Sequence, residues 1–143
     1  MIDRNSRNRL AELLRSLASG QITNDEFEDS IPRSDDKAIM EVFDNGGWAL
    51  YSDMKEYKLK GKDALEKVVK KEVSRWVLFL KSNYEYSWPD VALSQRILHS
   101  FTLGLFGTSY TKVWSAVGDI DAWPFLKNED FTKAKEEHGY LGK

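Results

Sequence analysis

Leu10, Leu13, Leu14 and Leu17 recur at i, i+3, i+4 and i+7, which is one face of an α-helix. Asp3 or Asn5 supplies a cap ahead of it, and Gly20 stands where a left-handed residue closes a helix. A second helix starts at once. Thr23 and Glu26 have the spacing of a capping box, Ile22 and Phe27 flank it as a hydrophobic staple, and Pro32 stops it. Residues 4–31 thus predict a helical hairpin with its turn at Ser19–Ile22. A third helix is expected from about Asp35 to Asp44, with Ala38, Ile39, Val42 and Phe43 as its apolar stripe and Asn45-Gly46-Gly47 as its stop.

Residues 48–61 carry two patterns. Trp48, Tyr51, Met54 and Tyr57 recur at helical spacing, whereas Tyr57 to Gly61 alternates like an edge strand, so the first half is expected helical and the second extended. From Asp63 to Lys81 the helical pattern returns: Asp63 with Glu66 imitates a capping box, and Leu65, Val68, Val69, Val73, Trp76 and Leu80 define the buried face. After an aromatic loop, Pro89-Asp90 opens a helix to about Phe106 that is apolar nearly all round from Ile97, the mark of a bundle centre. Val113, Trp114 and Val117 suggest a short helix, Gly118-Asp119 a turn, and Trp123-Pro124-Phe125 an extended plug. Asn128 is the expected cap of a last helix that docks through Phe131, Ala134 and His138 before Gly139. The fold class expected is mainly α: a single-domain bundle of about five to six helices, with a short extended segment near 57–61. It comprises a hairpin at 4–31, a bundle core at 35–106, and an irregular segment with a docking helix at 107–143.

Composition narrows the chemistry. At 143 residues the chain fits one domain, and 41% hydrophobic residues exclude a mainly disordered chain. The absence of Cys excludes disulfides, thiol catalysis and cysteine zinc sites, and with only His99 and His138 a multi-histidine metal site is nearly excluded. No metal and no cofactor are therefore expected. The first residues contain no signal-peptide run, and the longest apolar stretch, Ile97 to Phe106, is about half of the ~20 residues a membrane span needs. The expected compartment is the cytosol. The formal charge of −2 conceals a segregation: residues 25–44 hold eight acids against Arg33 and Lys37, net −6, whereas residues 55–81 hold nine basic residues against four acids, net +5.

The pattern Leu13-x3-Leu17-x2-Gly20-x-Ile22-Thr23-x2-Glu26-Phe27, within residues 10–30, resembles the helical hairpin of the short C-terminal (SHOCT) domains. That hairpin usually closes a chain, whereas this one lies near the start. The resemblance implies an interaction role and no chemistry.

Catalytic candidates reduce to structural readings. Ser109–Lys112, Ser34–Lys37 and Ser52–Lys55 all fit S-x-x-K, but three matches without the companion K-T-G are what chance produces. Gly104 to Ser109 lacks the Lys of a phosphate loop. Asp119 and Asp121 offer two carboxylates, more simply read as caps than as cation ligands. His99 reads as a hydrogen-bonded core residue rather than a general base, and His138 as a complement to a helix dipole. Glu72 falls within the apolar face of its helix. A buried carboxylate needs a partner, so Glu72 should pair with Arg75 or Arg96, or be exposed by a small helix roll; an acid with a functional role is the other reading.

Three surfaces remain as candidates for binding. The acidic set is Asp25, Glu28, Asp29, Asp35, Asp36, Glu41 and Asp44, with Glu26 beside them; such a surface steers basic partners. The aromatic loop offers Tyr84, Tyr86 and Trp88, residue types common in interface hot spots. Lys67, Lys71 and Arg75 line up at i, i+4 and i+8 for phosphate contacts, though neighbouring acids neutralise part of that stripe and the acidic block opposes a polyanion. In size, aromatic content and lack of catalytic residues the chain resembles bacterial immunity proteins of contact-dependent inhibition systems. That resemblance implies a non-enzymatic protein that occludes a basic nuclease toxin. The alternatives are a nucleic-acid-binding or regulatory protein using helix 63–81, and a small hydrolase built from His99, Glu72 and Asp119 or Asp121.

Overall fold

The computed structural model describes residues 1–89 and 117–138. Five α-helices lie within them: α1 (Arg4–Ala18), α2 (Asn24–Asp29), α3 (Lys37–Asn45), α4 (Lys67–Lys81) and α5 (Asn128–Glu137). Short 3-10 turns occur at Gly47–Leu50, Gly61–Asp63 and Ile120–Ala122. The described residues contain no sheet, only an isolated antiparallel bridge between Thr23 and Lys58. The fold is mainly α, and no described helix is long and apolar enough to cross a membrane. The helix expected over 90–106, with Arg96 and His99, lies outside the described residues, as do Gly104–Ser109, Ser109–Lys112 and Gly139.

The hairpin forms as its letters require. Asp3 caps α1 by accepting from the Ser6 amide at 3.0 Å, and Gly20 adopts φ 76° in the turn. Leu10, Leu14 and Leu17 are fully buried, with Leu13 nearly so. Their main cover is α4, through its buried run from Trp76 to Leu80, while α2 contributes the fully buried Phe27.

Two arginines of α1 fasten that packing from the edge. Arg4 donates to the carbonyls of Leu80 and Ser82 at 2.8 and 2.6 Å, and Arg7 donates to the Tyr84 carbonyl at 2.7 Å. The Arg4 cation at the Leu80 and Ser82 carbonyls satisfies groups that the end of α4 leaves unpaired. Arg7 is itself completely buried and forms an ion pair with Asp36 at 2.6 Å. Asp36 in turn caps α3 through the Ala38 amide and accepts from the Asp3 amide, so one carboxylate joins the starts of α1 and α3.

Several expectations change. Asp63 and Glu66 do not form a capping box: Asp63 lies in a 3-10 turn, Ala64 and Glu66 are extended, and Glu66 occupies the N-cap of α4 without a side-chain bond. The helix accordingly starts at Lys67, and its covered stripe starts at Val73, leaving Val68 62% exposed. Helix in the first half of 48–61 is confined to Gly47–Leu50, and the extended second half to the bridge at Lys58. Lys127, not Asn128, sits at the N-cap of α5, again without a side-chain bond.

The two Trp-Pro segments meet as plugs. The Trp88 indole N–H donates to the Pro124 carbonyl at 3.1 Å, and the Trp123 indole N–H donates to the Tyr86 hydroxyl at 3.0 Å. Buried Trp and Tyr need such partners for their polar ends. Phe125 lies between, edge-on to Phe79 at 5.2 Å and to Tyr84 at 5.7 Å, with Phe131 of α5 at 5.5 Å.

Candidate protein-binding surface

The acidic surface begins with the short helix α2. The Thr23 hydroxyl accepts from the Glu26 amide at 3.1 Å, and the Glu26 carboxylate accepts from the Thr23 amide at 3.4 Å. With its N-terminus capped in this way, α2 presents Asp25, Glu26 and Asp29 to solvent while Phe27 points inward.

Buried Asn24, the first residue of α2, brings a second segment to the same place. Its side-chain NH2 donates to the carbonyls of Ser52 and Lys55 at 3.2 and 3.0 Å, and its side-chain oxygen accepts from the Tyr57 amide at 2.9 Å. Its own amide donates to the Tyr57 carbonyl at 3.2 Å. Farther along α2, the Tyr51 hydroxyl donates to the Glu28 carboxylate at 2.7 Å. These bonds lay residues 51–57 along α2 and place Asp53 and Glu56 beside its acids.

The electrostatic result is visible in two groups. Glu56 holds its proton more tightly than an ordinary glutamate, first because a protonated Glu56 can donate to the nearby Asp25 carboxylate, then through slight desolvation and the charges of Asp25 and Glu26. Tyr51 is pushed up by burial, by its bond to Glu28, and by the charges of Glu28, Asp53 and Asp25. A raised Glu56 pKa favours the folded state below the ordinary carboxylate range, and that contribution disappears as pH rises through the raised value. Near neutral pH that contribution is gone, and the ionised Glu56 faces the charges of Asp25 and Glu26. Replacing it with Gln is expected to raise Tm at pH 7 and to have little effect near pH 4, a difference that paired calorimetric scans will measure.

The expected acidic set divides. Asp25, Asp29 and Asp35 are exposed, Glu28 is half-buried against Tyr51, and Asp44 is half-buried. Asp36 does not belong to the surface. Burial would push its pKa up, but the hydrogen bonds from Arg7 and the Asp3 and Ala38 amides, with the Arg7 charge, outweigh that and hold it below the usual carboxylate range. Glu41 is also buried and accepts from the Asn45 side chain at 2.8 Å. Asp53 and Glu56 take their place, two acids that charge counting missed because they lie where the periodicity was ambiguous. Their link to α2 runs through Asn24 and backbone carbonyls, which leave no pattern of residue types.

The other two candidate surfaces are changed more. Tyr86 and Trp88 are buried, and half-buried Tyr84 packs on Phe125, so the aromatic loop faces the core rather than a partner. The Trp88 indole N–H and the Tyr86 hydroxyl are bonded within the fold, which removes the reason for these two rings to stay at the surface. On α4, Lys67 and Lys71 are exposed, but Arg75 is withdrawn from the stripe: its Nε donates to the Trp123 carbonyl at 2.6 Å, and it pairs with Glu72 at 3.7 Å. Burial lowers the Arg75 pKa, opposed by Glu72, Asp121 and Asp119. Glu72 is thus both paired and about half exposed, the two structural outcomes its position on the apolar face of the helix allowed.

The remaining chemical candidates have local roles. The Ser34 hydroxyl donates to Asp3 at 2.7 Å, the Ser52 hydroxyl accepts from the Met54 amide, and Asp119 caps the turn at Ile120–Ala122 through the Asp121 amide at 3.1 Å. His138 occupies the C-cap of α5. Among the described residues, no group of three or more His, Asp or Glu side chains is arranged to hold a metal ion. Comparison with family models, with characterised proteins and with solved structures finds no match to this chain.

Proposed function

We propose that the chain is a non-enzymatic binding protein that presents the joined acids of residues 25–29 and 53–56 to a basic protein partner. The observation that carries this reading is that Asn24 ties residues 52–57 to α2, so that exposed carboxylates from two separate segments, Asp25 and Asp29 with Asp53 and Glu56, share one face. Like charges on one face repel, and a cationic partner relieves that repulsion on binding. A surface of this kind accelerates encounter more than it strengthens the final complex. The partner class that best fits a small cation-seeking protein is a basic nuclease toxin, with the chain acting as its immunity protein by covering the toxin's cleft or its path to substrate. The basic-helix alternative is weakened by the withdrawal of Arg75, which leaves Lys67 and Lys71 without their third cation.

The test is a search for a basic toxin domain encoded beside this gene, then co-expression and stopped-flow mixing of the purified pair; a neighbourhood and a pull-down that yield no basic partner would overturn the reading. Charge reversal at Asp25, Glu28 and Asp29 is expected to slow association at least about tenfold at low salt, with a smaller change in dissociation. Association that is unaffected by these substitutions and by added salt would remove the acidic surface from the function.

A further inference from the structure

The acidic surface contains an exposed tryptophan. Trp48 is 47% exposed, and its indole N–H donates to the Asp53 carboxylate at 3.0 Å, which fixes the orientation of the ring. Next to that carboxylate in sequence is Met54, 91% exposed, the most open large apolar side chain described. Other tryptophans of the described residues, Trp76, Trp88 and Trp123, are buried. The loop carrying this pair is not loosely attached: Asn24 binds its backbone, the Tyr57 hydroxyl accepts from the Ser52 amide at 2.7 Å, and the Met54 amide donates to the Ser52 hydroxyl. An ordered loop thus presents apolar surface to solvent beside the Asp53 carboxylate, on the segment that also carries the exposed Glu56.

We infer that Trp48 and Met54, with the Asp53 carboxylate between them in the loop, receive an arginine side chain from the basic segment of a protein partner. This inference rests on the acidic-surface reading above and names the residue type the surface selects. A guanidinium stacks on an indole face, its weak hydration makes it cheap to place against Met54, and its fork of N–H donors matches two carboxylate oxygens at once. A lysine ammonium matches the charge but neither the planar stacking nor the paired hydrogen bonds. Lys55 of this chain rests instead over the Tyr57 ring at 5.6 Å.

Octa-arginine and octa-lysine serve as probes of the intact chain, followed by two-dimensional amide NMR and fluorescence at low salt. Octa-arginine is expected to shift the Trp48 indole N–H and the amides of residues 53–56, and to bind several-fold more tightly than octa-lysine. Trp48→Ala should weaken octa-arginine about tenfold, and Trp48→Phe less, with Tm checked for both. Equal affinity for the two peptides, or no effect of Trp48→Ala while charge reversal at Asp25 and Asp29 still abolishes binding, overturns the arginine site and leaves the acidic-surface reading standing. Failure of both peptides to bind overturns both.

Discussion

Asp36→Ala is expected to destabilise the protein by about 3–5 kcal/mol, because it leaves the Arg7 guanidinium charged inside the core. The loss is a large part of the roughly 5–15 kcal/mol that holds a domain folded, and it should lower Tm by roughly 10–15 °C. Arg7 is completely buried, and the Asp36 side chain is 1% exposed. No rotation of either side chain brings compensating water. The substitution also removes the cap of α3 and the acceptor of the Asp3 amide. Replacing both partners with apolar residues, as in Arg7→Met with Asp36→Leu, should recover only part of the loss. Such swaps can be neutral where an ion pair stands alone, but here the Tyr84 carbonyl loses its donor, and Phe79 loses the guanidinium 5.2 Å from its ring centre. Acid should imitate the single substitution. Because the folded protein lowers the Asp36 pKa, its stabilisation is complete above the ordinary carboxylate range and is lost as pH falls through the lowered value. Chemical denaturation between pH 7 and pH 2 is the measurement: the wild type should lose stability on acidification, and Asp36→Ala should lose less of it.

Phe125→Ala is expected to cost a similar amount, about 3–5 kcal/mol, through a cavity that cannot close. The ring is 1% exposed and is walled by Phe79, Tyr84 and Phe131, three aromatics contributed by α4, the loop after it, and α5. Rigid rings on different elements cannot all move inward to fill the space. Phe125→Leu keeps much of the volume and should cost less than about 1.5 kcal/mol. The two large losses should differ in where they appear. Deuterium exchange in Phe125→Ala should rise first in residues 119–137, whose attachment runs through this ring and the Trp88 and Trp123 bonds, while the α1–α2 hairpin keeps more of its protection. In Asp36→Ala the order should reverse, with the start of α3 and the end of α4 opening first.

The parts of the fold that could be read from sequence were those whose signals are local. The hairpin was legible because Asp3, Gly20, Thr23 and Glu26 each act on backbone groups within a few residues of themselves. The same logic overreached at Asp63 and Glu66, where correctly spaced letters lie in a turn that does not continue into helix. The candidate surface was half legible. Counting charges located the acids of α2, but it could not show that Asp36 finds Arg7 inside the core, because that pairing spans a packed interface and not a helical period. Nor could it show that Asp53 and Glu56 return to α2, since the return is made through an asparagine and main-chain carbonyls. The aromatic loop misled for a related reason. A tryptophan is free to be buried once its indole N–H has an acceptor, and the acceptors for Trp88 and Trp123 come from each other's segments.

The packing of α1 against α4 also sets an order of events during synthesis. α1 leaves the ribosome with Leu10, Leu13, Leu14 and Leu17 on one face, and its main cover lies in residues made much later. At about 5–20 residues per second, the wait for α4 is on the order of several seconds. The early hairpin with α2 offers the nascent chain only partial shelter through Phe27. The α1–α2 segment is thus born sticky, and it depends on the prompt arrival of its distant partner helix, or on a holding chaperone, to reach the native state before meeting another unfinished copy.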